Sequence, residues 1–143
     1  MEEKYIDELI KLSQKSLKKS EVPIAALIID EKGKIISKAY NTRNIKQKTI
    51  NHAEILAIIK ANKKLKSWRL NKCMLYTTIE PCDMCKSVIK ESRIQNVFYL
   101  LPRLPEKNQY NKTIFNKLKF MSEKEDKYQE IINKFWKNKR KMI

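Results

Sequence analysis

Two short motifs constrain this chain more than any other feature of its sequence. Residues 52–54, His-Ala-Glu, contain the only histidine, and residues 81–85, Pro-Cys-Asp-Met-Cys, contain two of the three cysteines. Zinc takes nitrogen and sulfur ligands in tetrahedral geometry, and a catalytic zinc site uses three protein ligands and leaves the fourth position to water. His52, Cys82 and Cys85 supply that set of ligands. We therefore expect the fold to bring the two motifs together around one zinc ion.

The residues around the three ligands favour a catalytic site over a structural one. Cys82 and Cys85 lie three positions apart at the predicted start of a helix, so they share one face of that helix. A helix N-terminus and a metal ion both favour thiolate over thiol. Glu54 follows His52 by two residues, which places its carboxylate near the metal as a general acid and base rather than as a fourth ligand.

An alternative interpretation assigns no chemistry to these residues. A structural zinc site more often has four protein ligands. The remaining cysteine, Cys73, lies in a predicted strand and is expected to be a small core residue out of reach of the metal. Without a metal, His52 would cap a helix, and Cys82 and Cys85 would pack in the core. The zinc site is favoured because that alternative requires the four residue types, Glu54 included, to coincide by chance.

The pattern of apolar residues predicts an α/β fold. Strands are predicted at residues 22–29, 34–40, 72–79 and 95–101, with a candidate fifth strand at 117–121. Helices are predicted at residues 2–19, 52–65, 82–91 and about 122–140, the last begun by a candidate capping box of Ser122 and Glu125. Residues 41–51 are expected to form a polar loop. Strands that alternate with helices on both sides of one sheet make an α/β domain, and 143 residues fit a single domain over residues 1–143.

The formal net charge of +16 at pH 7 admits two interpretations. It indicates a polyanionic partner, above all nucleic acid, or it reflects a lysine-rich composition that would raise the charge of any protein from the same source. The absence of a run of about eighteen apolar residues predicts no membrane span, and the N-terminus lacks the basic and apolar regions of a signal peptide. Three cysteines, two of them in one Cys-x-x-Cys, fit metal chemistry in a reducing compartment. We expect a cytoplasmic globular protein with no membrane partner.

Over residues 21–97 the sequence resembles the bacterial tRNA-specific adenosine deaminases, which have the cytidine deaminase-like fold. The His-x-Glu and Pro-Cys-x-x-Cys motifs are shared by many zinc-dependent nucleobase deaminases, whereas Glu-Val-Pro, Asn41 and Ser-Arg-Ile are narrower. The matching segments outside the zinc motifs are 21–24 (Glu-Val-Pro-Ile), 40–41 (Tyr-Asn), 68–70 (Trp-Arg-Leu), 75–80 (Leu-Tyr-Thr-Thr-Ile-Glu) and 92–94 (Ser-Arg-Ile). The resemblance implies a three-layer α/β/α fold, with a mixed sheet of about five strands and helices on both faces.

The resemblance also implies a reaction and a role for each matching residue. The reaction is zinc-dependent hydrolysis of the wobble adenosine to inosine in a tRNA anticodon loop, by a homodimer, with an arginine tRNA as the expected substrate and no DNA partner. His52, Cys82 and Cys85 would bind one zinc ion per chain, and Glu54 would shuttle protons. Asn41 resembles the family's asparagine that hydrogen-bonds the target base. The alternative for Asn41 is a turn residue that ends a strand.

The resemblance ends at Val97, and the substrate contacts expected beyond it each have an alternative. Arg103 occupies a position where the family has an acidic residue, and we expect it to contact an RNA phosphate or to be an ordinary solvated loop residue. In the last helix, Phe135 either stacks on anticodon bases or anchors the helix to the core. Lys139 and Arg140 belong to a basic segment that is expected to contact RNA, the alternative being a solvated helix end.

Two other functions are compatible with the motifs. One is a deaminase of small molecules such as cytosine, guanine or a free nucleotide of the dCMP type, against which the net charge and the basic last helix argue. The other is a noncatalytic zinc-binding or RNA-binding module, against which Glu54 argues because a structural site needs no proton shuttle. A strong salt dependence of substrate affinity would indicate RNA, and a flat one would indicate a small substrate.

Overall fold

The computed structural model of the chain describes residues 2–104, 113–118 and 122–141. These residues form two compact units, Met1–Pro105 and Glu106–Ile143. The elements of the first unit are, in order, α1 (Glu2–Lys18), β1 (Ala25–Ile29), β2 (Ile35–Tyr40), α2 (Arg43–Lys46), α3 (Ala53–Leu65), β3 (Met74–Ile79), α4 (Asp83–Glu91) and β4 (Asn96–Leu101). The second unit contains α5 (Ser122–Lys141).

The four strands of the described residues form one mixed sheet in the order β2-β1-β3-β4. β1 lies antiparallel to both β2 and β3, whereas β3 runs parallel to β4 and is connected to it through α4. All five residues of β1 are buried, as its uninterrupted apolar sequence predicts for a strand covered on both faces. The turn between β1 and β2 contains Gly33 with a φ of +84°, a conformation that disfavours any side chain. The Gly33 carbonyl accepts a hydrogen bond from the Tyr5 hydroxyl at 2.6 Å.

Helices cover both faces of this sheet. α3 and α4 pack on one face, where Ala26 and Ile28 of β1 join them in one hydrophobic core. α1 packs on the other face, against Ala25, Leu27 and Ile29 of the same strand. The first unit is therefore a three-layer α/β/α arrangement, which confirms the predicted fold class.

Two details of the fold differ from the prediction. The described residues contain four strands rather than about five, because residues 117 and 118 are irregular and residues 119–121 lie outside the described part of the chain. The expected polar loop over residues 41–51 contains the short helix α2. In the described part of the chain, every helix is too short or too polar to span a bilayer. The single domain over residues 1–143 stays a prediction, since the two units are described separately.

The second unit is organised around α5. Glu123 and Glu125 lie in the first turn of this helix, where negative charge favours the helix dipole, and Glu125 forms an ion pair with Lys117 at 3.0 Å. The side chain of Ser122 lies outside the described atoms, so its capping box stays a prediction. The apolar residues of α5 recur at helical spacing and are more than half exposed at Tyr128, Ile131, Phe135 and Trp136.

The complete burial of β1 predicts a large stability cost for truncating its side chains. We expect Ile28→Ala to lower the free energy of unfolding by about 2–5 kcal/mol, because the change leaves a cavity in the core. Urea denaturation measures this loss. The matched control is Ile59→Ala at a residue that is 50% exposed, which should change stability by less than about 1 kcal/mol. Equal losses in the two variants would contradict the assignment of β1 to the centre of the core.

Candidate active site

Three potential metal ligands meet where two helices begin. His52 is the N-cap residue of α3, Cys82 is the N-cap residue of α4, and Cys85 lies in the first turn of α4. The His52 Nδ1 atom lies 3.6 Å from the Cys82 Sγ atom and 3.4 Å from the Cys85 Sγ atom. All three ligand atoms lie within 4.8 Å of one another. The fold therefore brings the two sequence motifs together, as their residue types predict.

The spacing of these atoms fits a tetrahedral zinc ion. Zn–N bonds of about 2.1 Å and Zn–S bonds of about 2.3 Å, at the tetrahedral angle, place the nitrogen and sulfur ligands about 3.6 Å apart. The two measured distances agree with that value to within 0.2 Å. Cys73 is buried in the core and is not part of this group, which is the only set of three such ligands found among the described residues. His52, Cys82 and Cys85 are thus placed to hold one metal ion and leave a coordination position for water.

The pKa values of the two thiols are shifted in opposite directions. Hydrogen bonds from Cys85 and His52 stabilise the Cys82 thiolate and lower the pKa of Cys82 to about 3. The hydrogen bond with Cys82, together with burial, raises the pKa of Cys85 above its ordinary value. Cys82 is therefore the thiol of this pair that more readily loses its proton, and a thiolate is the form of cysteine that binds zinc.

Glu54 lies beside the three ligands without being one of them. It is the second residue of α3, and its side chain is buried. Burial raises the pKa of Glu54 above its ordinary value, although the backbone hydrogen bond and the charge of His52 oppose that shift. A raised pKa brings a carboxyl group closer to the pKa that suits a general acid and base.

A pocket in the first unit opens onto this group. Four of the residues predicted from sequence line it together: Asn41, His52, Glu54 and Arg103. Five more lining residues were not predicted: Val22, Ile24, Arg43, Ile79 and Glu80. The pocket thus combines an apolar wall that suits a planar base with a polar rim that includes two arginines. Arg43 could have been predicted to line the pocket from its position two residues after Asn41. Val22 and Ile24 could have been predicted from the Glu-Val-Pro-Ile segment that contains them.

Asn41 is held by two hydrogen bonds to the backbone of other residues that line the pocket. Its side chain is buried, and its Oδ1 atom accepts a hydrogen bond from the Arg43 N–H at 2.9 Å. Its own N–H donates to the Ile24 carbonyl at 3.0 Å. This is the turn role expected of an asparagine that follows a strand. The same residue lines the pocket, so the turn role and a contact with substrate are compatible.

Arg103 is brought to the pocket rim by Glu80. The Arg103 N–H donates to the Glu80 Oε1 atom at 3.2 Å, and the Lys86 ammonium donates to Oε2 at 3.1 Å. These two donors hold the pKa of Glu80 below its ordinary value. The Glu80 N–H in turn donates to the Leu101 carbonyl at 2.9 Å. Glu80, the residue before Pro81, therefore holds the segment that follows β4.

The remaining predicted contacts belong to the second unit. Phe135 lies on α5 and packs against Trp136 in a T-shaped arrangement, with ring centroids 5.1 Å apart. Its side chain is 52% exposed. The side chains of Lys139 and Arg140 lie outside the described atoms. Contacts of these three residues with a substrate stay predictions.

Comparison with known proteins identifies similar sequences. A family model described as the cytidine and deoxycytidylate deaminase zinc-binding region matches residues 1–101. The tRNA-specific adenosine deaminase of Bacillus subtilis (strain 168) is 43% identical over 98 residues, which cover 68% of this chain and 60% of that protein. The tRNA-specific adenosine deaminase of Rickettsia bellii (strain RML369-C) is 42% identical over 93 residues, 64% of each chain. The chain thus spans less than two thirds of the length of these relatives.

Solved structures share the fold. A structure from studies of A-to-I editing by tRNA:A34 deaminases matches with a TM-score of 0.66 and 30% identity over 68% of this chain and 70% of that one. Guanine deaminase from Bacillus subtilis matches with a TM-score of 0.73 over 90% and 93% of the two chains. Its 24% identity supports a common fold alone. Guanine deaminase from Nitrosomonas europaea matches with a TM-score of 0.61 and 26% identity, over 65% of this chain and 54% of that one.

The ligand geometry predicts which cysteines hold zinc. We expect Cys82→Ser to weaken zinc binding by more than about 100-fold, because losing a direct ligand costs more than losing an outer hydrogen-bond partner. Zinc content after dialysis against a weak chelator, measured by atomic absorption, reports the loss. Cys73→Ser is the matched control and should retain one zinc per chain. Equal zinc content in both variants would refute the assignment of the ligands.

Proposed function

The chain belongs to the cytidine and deoxycytidylate deaminase zinc-binding family, and we propose that it converts the wobble adenosine of a tRNA anticodon loop to inosine by hydrolysis. The observation that carries this proposal is the buried Glu54 beside the three-ligand group, at a pocket that Asn41 also lines. Sequence identity of 43% to the tRNA-specific adenosine deaminase of Bacillus subtilis supports adenosine in tRNA as the substrate.

In the proposed reaction, Glu54 moves the protons. When bound by His52, Cys82 and Cys85, zinc supplies a polarised water of lowered pKa as the nucleophile. The Glu54 carboxylate would accept a proton from the attacking water and pass it to the ring nitrogen as the hydroxyl adds to C6 of adenine. Glu54 would then carry the proton of the new C6 hydroxyl to the exocyclic amine, so that the bond between C6 and that nitrogen breaks, ammonia leaves and the C6 oxygen becomes the carbonyl of inosine. Water and adenosine are thus converted to inosine and ammonia.

Asn41 is proposed to orient the base. Its amide oxygen is engaged by the Arg43 N–H, so we assign its amide nitrogen as the donor to an acceptor on the purine. The apolar side chains of Val22, Ile24 and Ile79 line the same pocket and offer a surface for the faces of the ring.

Positive charge is proposed to bind the RNA around the reacting nucleotide. An anticodon loop presents its adenosine unstacked, so little energy is needed to extrude the base. We assign Arg103 at the pocket rim to a flanking phosphate, and Lys139 and Arg140 to phosphates further along the stem-loop. Phe135 is proposed to stack on a neighbouring base, an interaction typically worth about 1–3 kcal/mol.

Three finer features complete the proposal. We propose a homodimer, an arginine tRNA as the substrate and a cytoplasmic location, all in line with the resemblance over residues 21–97. Deamination of a free base such as guanine is the second candidate, and its support is the similarity to guanine deaminase from Nitrosomonas europaea, at 26% identity. A free base carries no phosphate, so that candidate gives Arg43 and Arg103 in the pocket lining no role.

The proton-shuttle role predicts that Glu54→Ala loses activity and keeps its metal. Inosine formation on an anticodon stem-loop with a wobble adenosine should fall by at least about 10²–10⁴-fold, the usual contribution of a general acid and base. Nucleoside analysis by mass spectrometry measures inosine, with free guanine, cytosine and adenosine as parallel substrates. Glu91→Ala, at a glutamate whose side chain is 86% exposed on α4, is the matched control.

The outcomes of this experiment separate the candidate functions. Inosine from the stem-loop alone, lost in Glu54→Ala but not in Glu91→Ala, supports the proposal. Ammonia from a free base without inosine from the stem-loop would overturn it in favour of a small-molecule deaminase. Full activity of Glu54→Ala with bound zinc would refute the role of Glu54.

The proposed phosphate contacts predict that the affinity for RNA falls steeply with salt, and that the basic end of α5 contributes to this salt dependence. We expect the affinity for the stem-loop to fall as salt rises, with a slope of about −0.7 in log K against log[salt] for each phosphate neutralised. Changing both Lys139 and Arg140 to glutamine should reduce that slope by about 1–2. Fluorescence anisotropy measures the affinity. The double change of Lys15 and Lys18 to glutamine in the last turn of α1 removes the same charge, and an equal reduction in the slope there would count against the assignment.

A further inference from the structure

We infer that Glu21 is a positioning residue that anchors the loop of residues 42–51, here named the substrate loop, through a hydrogen bond from the loop backbone to its buried side chain. The substrate loop connects Asn41 to His52, and it carries Arg43 into the pocket. The inference rests on the proposed function only where it names RNA as the substrate. The anchoring itself rests on the contacts of the described residues.

The substrate loop is closed at its two ends. The Thr42 N–H donates to the Asn51 carbonyl at 3.1 Å, and the Asn51 amide donates to the Thr42 hydroxyl at 3.1 Å. Asn51 is itself buried. This pair of hydrogen bonds fixes where the loop leaves and rejoins the fold, but it does not determine the position of the residues between.

Glu21 supplies a contact from outside the loop to a residue in its interior. Its side chain is 3% exposed, and its Oε1 atom accepts a hydrogen bond from the Ile45 N–H in α2, 24 residues along the chain. The first N–H groups of a helix have no partner within the helix, and the N-cap residue Thr42 makes no side-chain cap hydrogen bond. Asn41 accepts from the Arg43 N–H and Glu21 accepts from the Ile45 N–H, so these two side chains together cap α2.

The position of Glu21 is itself fixed by buried polar contacts. The Glu21 N–H donates to the Ser16 carbonyl at 3.1 Å. The Ser16 hydroxyl is placed to donate to the Val22 carbonyl at 2.8 Å and to the Asn41 carbonyl at 3.3 Å. The end of α1, the connector to β1 and the start of the substrate loop are therefore held to one another. This network of hydrogen bonds therefore fixes the position of Glu21, which contacts the loop.

The burial of Glu21 lowers the stability of the fold. Its Oε2 atom is buried and accepts no hydrogen bond among the described residues. A buried carboxylate with an unpartnered oxygen opposes folding, and an apolar side chain of similar size often stabilises such a site. Among the described residues, the one hydrogen bond that the carboxylate accepts comes from the substrate loop. The carboxylate thus serves to hold the loop rather than to stabilise the core.

Loss of the anchor is expected to affect substrate capture more than chemistry. Arg43 and Val22 line the pocket on either side of the anchor, whereas Glu54, His52 and the thiols are held by α3 and α4. Releasing Ile45 would let the substrate loop and Arg43 sample other positions without moving the ligand group. KM should therefore rise while kcat remains nearly constant.

The experiment compares Glu21→Met and Glu21→Gln with wild type. Methionine preserves the length of the side chain and removes the acceptor, and glutamine preserves an acceptor oxygen and removes the charge. The matched control is Asp30→Ala, because Asp30 anchors the β1–β2 turn in the same way, accepting from the Lys32 and Lys34 N–H groups at 2.9 Å each. Limited trypsin digestion followed by mass spectrometry reports cleavage after Arg43, Lys46 and Lys48 in the substrate loop. Melting temperature, KM and kcat on the stem-loop are measured in parallel.

The inference predicts a specific combination of results. Glu21→Met should fold with a melting temperature equal to or above that of wild type, be cleaved faster within the substrate loop and show a KM raised about 10-fold, as expected for the loss of one hydrogen bond to a charged group. Glu21→Gln should lie between Glu21→Met and wild type in both readouts. Asp30→Ala should be cleaved faster at Lys32 and Lys34 and keep the wild-type KM.

Two results would overturn the inference. One is a Glu21→Met protein with wild-type cleavage of the substrate loop and wild-type KM. The other is a protein that is less stable and uniformly more sensitive to trypsin, with Glu21→Gln equally affected, since that pattern indicates a role in the scaffold alone. Absence of inosine with wild-type protein would overturn the proposed RNA substrate, and the digestion pattern would still decide whether Glu21 anchors the loop.

Discussion

The approach of one imidazole to two thiols, at 3.6 and 3.4 Å, depends on two helices that begin close together on the same face of one sheet. His52 and Cys82 are the N-cap residues of α3 and α4, so each ligand is fixed by the first turn of a helix packed on the central strands. The position of Glu54 follows from the same constraint, because the second residue of α3 cannot move independently of the first turn. The sheet therefore sets the geometry of the ligands and the position of Glu54 together.

The rim of the pocket is built on a different principle. Here, side-chain oxygens accept hydrogen bonds from backbone N–H groups of neighbouring loops: Asn41 from Arg43, Glu21 from Ile45, and Glu80 from Arg103. Each of these acceptors lies at the end of a strand or in a connector, and each donor lies in a loop that lines or borders the pocket. Rigid elements thus hold the reacting groups, while single hydrogen bonds hold the groups that meet the rest of a substrate. Substitutions at the rim are expected to act on binding, and those at the helix starts on chemistry.

Sequence reasoning succeeds where the determinants are local and fails where they are distant in the chain. The three ligands could be predicted from their residue types and from the three-residue spacing of Cys82 and Cys85, which the helix repeat sets. The role of Glu54 stays a prediction. The buried β1 could be predicted because its apolar run has no interruption. α2 was missed because four residues carry no periodicity, and its cap comes from Glu21, 24 residues away. Arg43 was missed for the same reason, since only the capped loop brings it to the pocket. The contribution of Lys139 and Arg140 depends on side chains outside the described atoms.

The rim, rather than the ligand group, should decide which substrate the site accepts. Three metal ligands and a buried carboxylate are expected to serve the hydrolysis of an amine on a free base as well as on a nucleotide. Discrimination therefore needs groups that contact something a free base lacks. Arg43 and Arg103 are cations at the rim of this pocket, and the phosphates on either side of an extruded nucleotide are the groups that a free base lacks. Under the proposed function, a nucleotide within a polyanion is expected to gain attraction at the rim that a neutral base cannot, and we expect this difference to favour RNA over a free base even where the chemistry at C6 is the same.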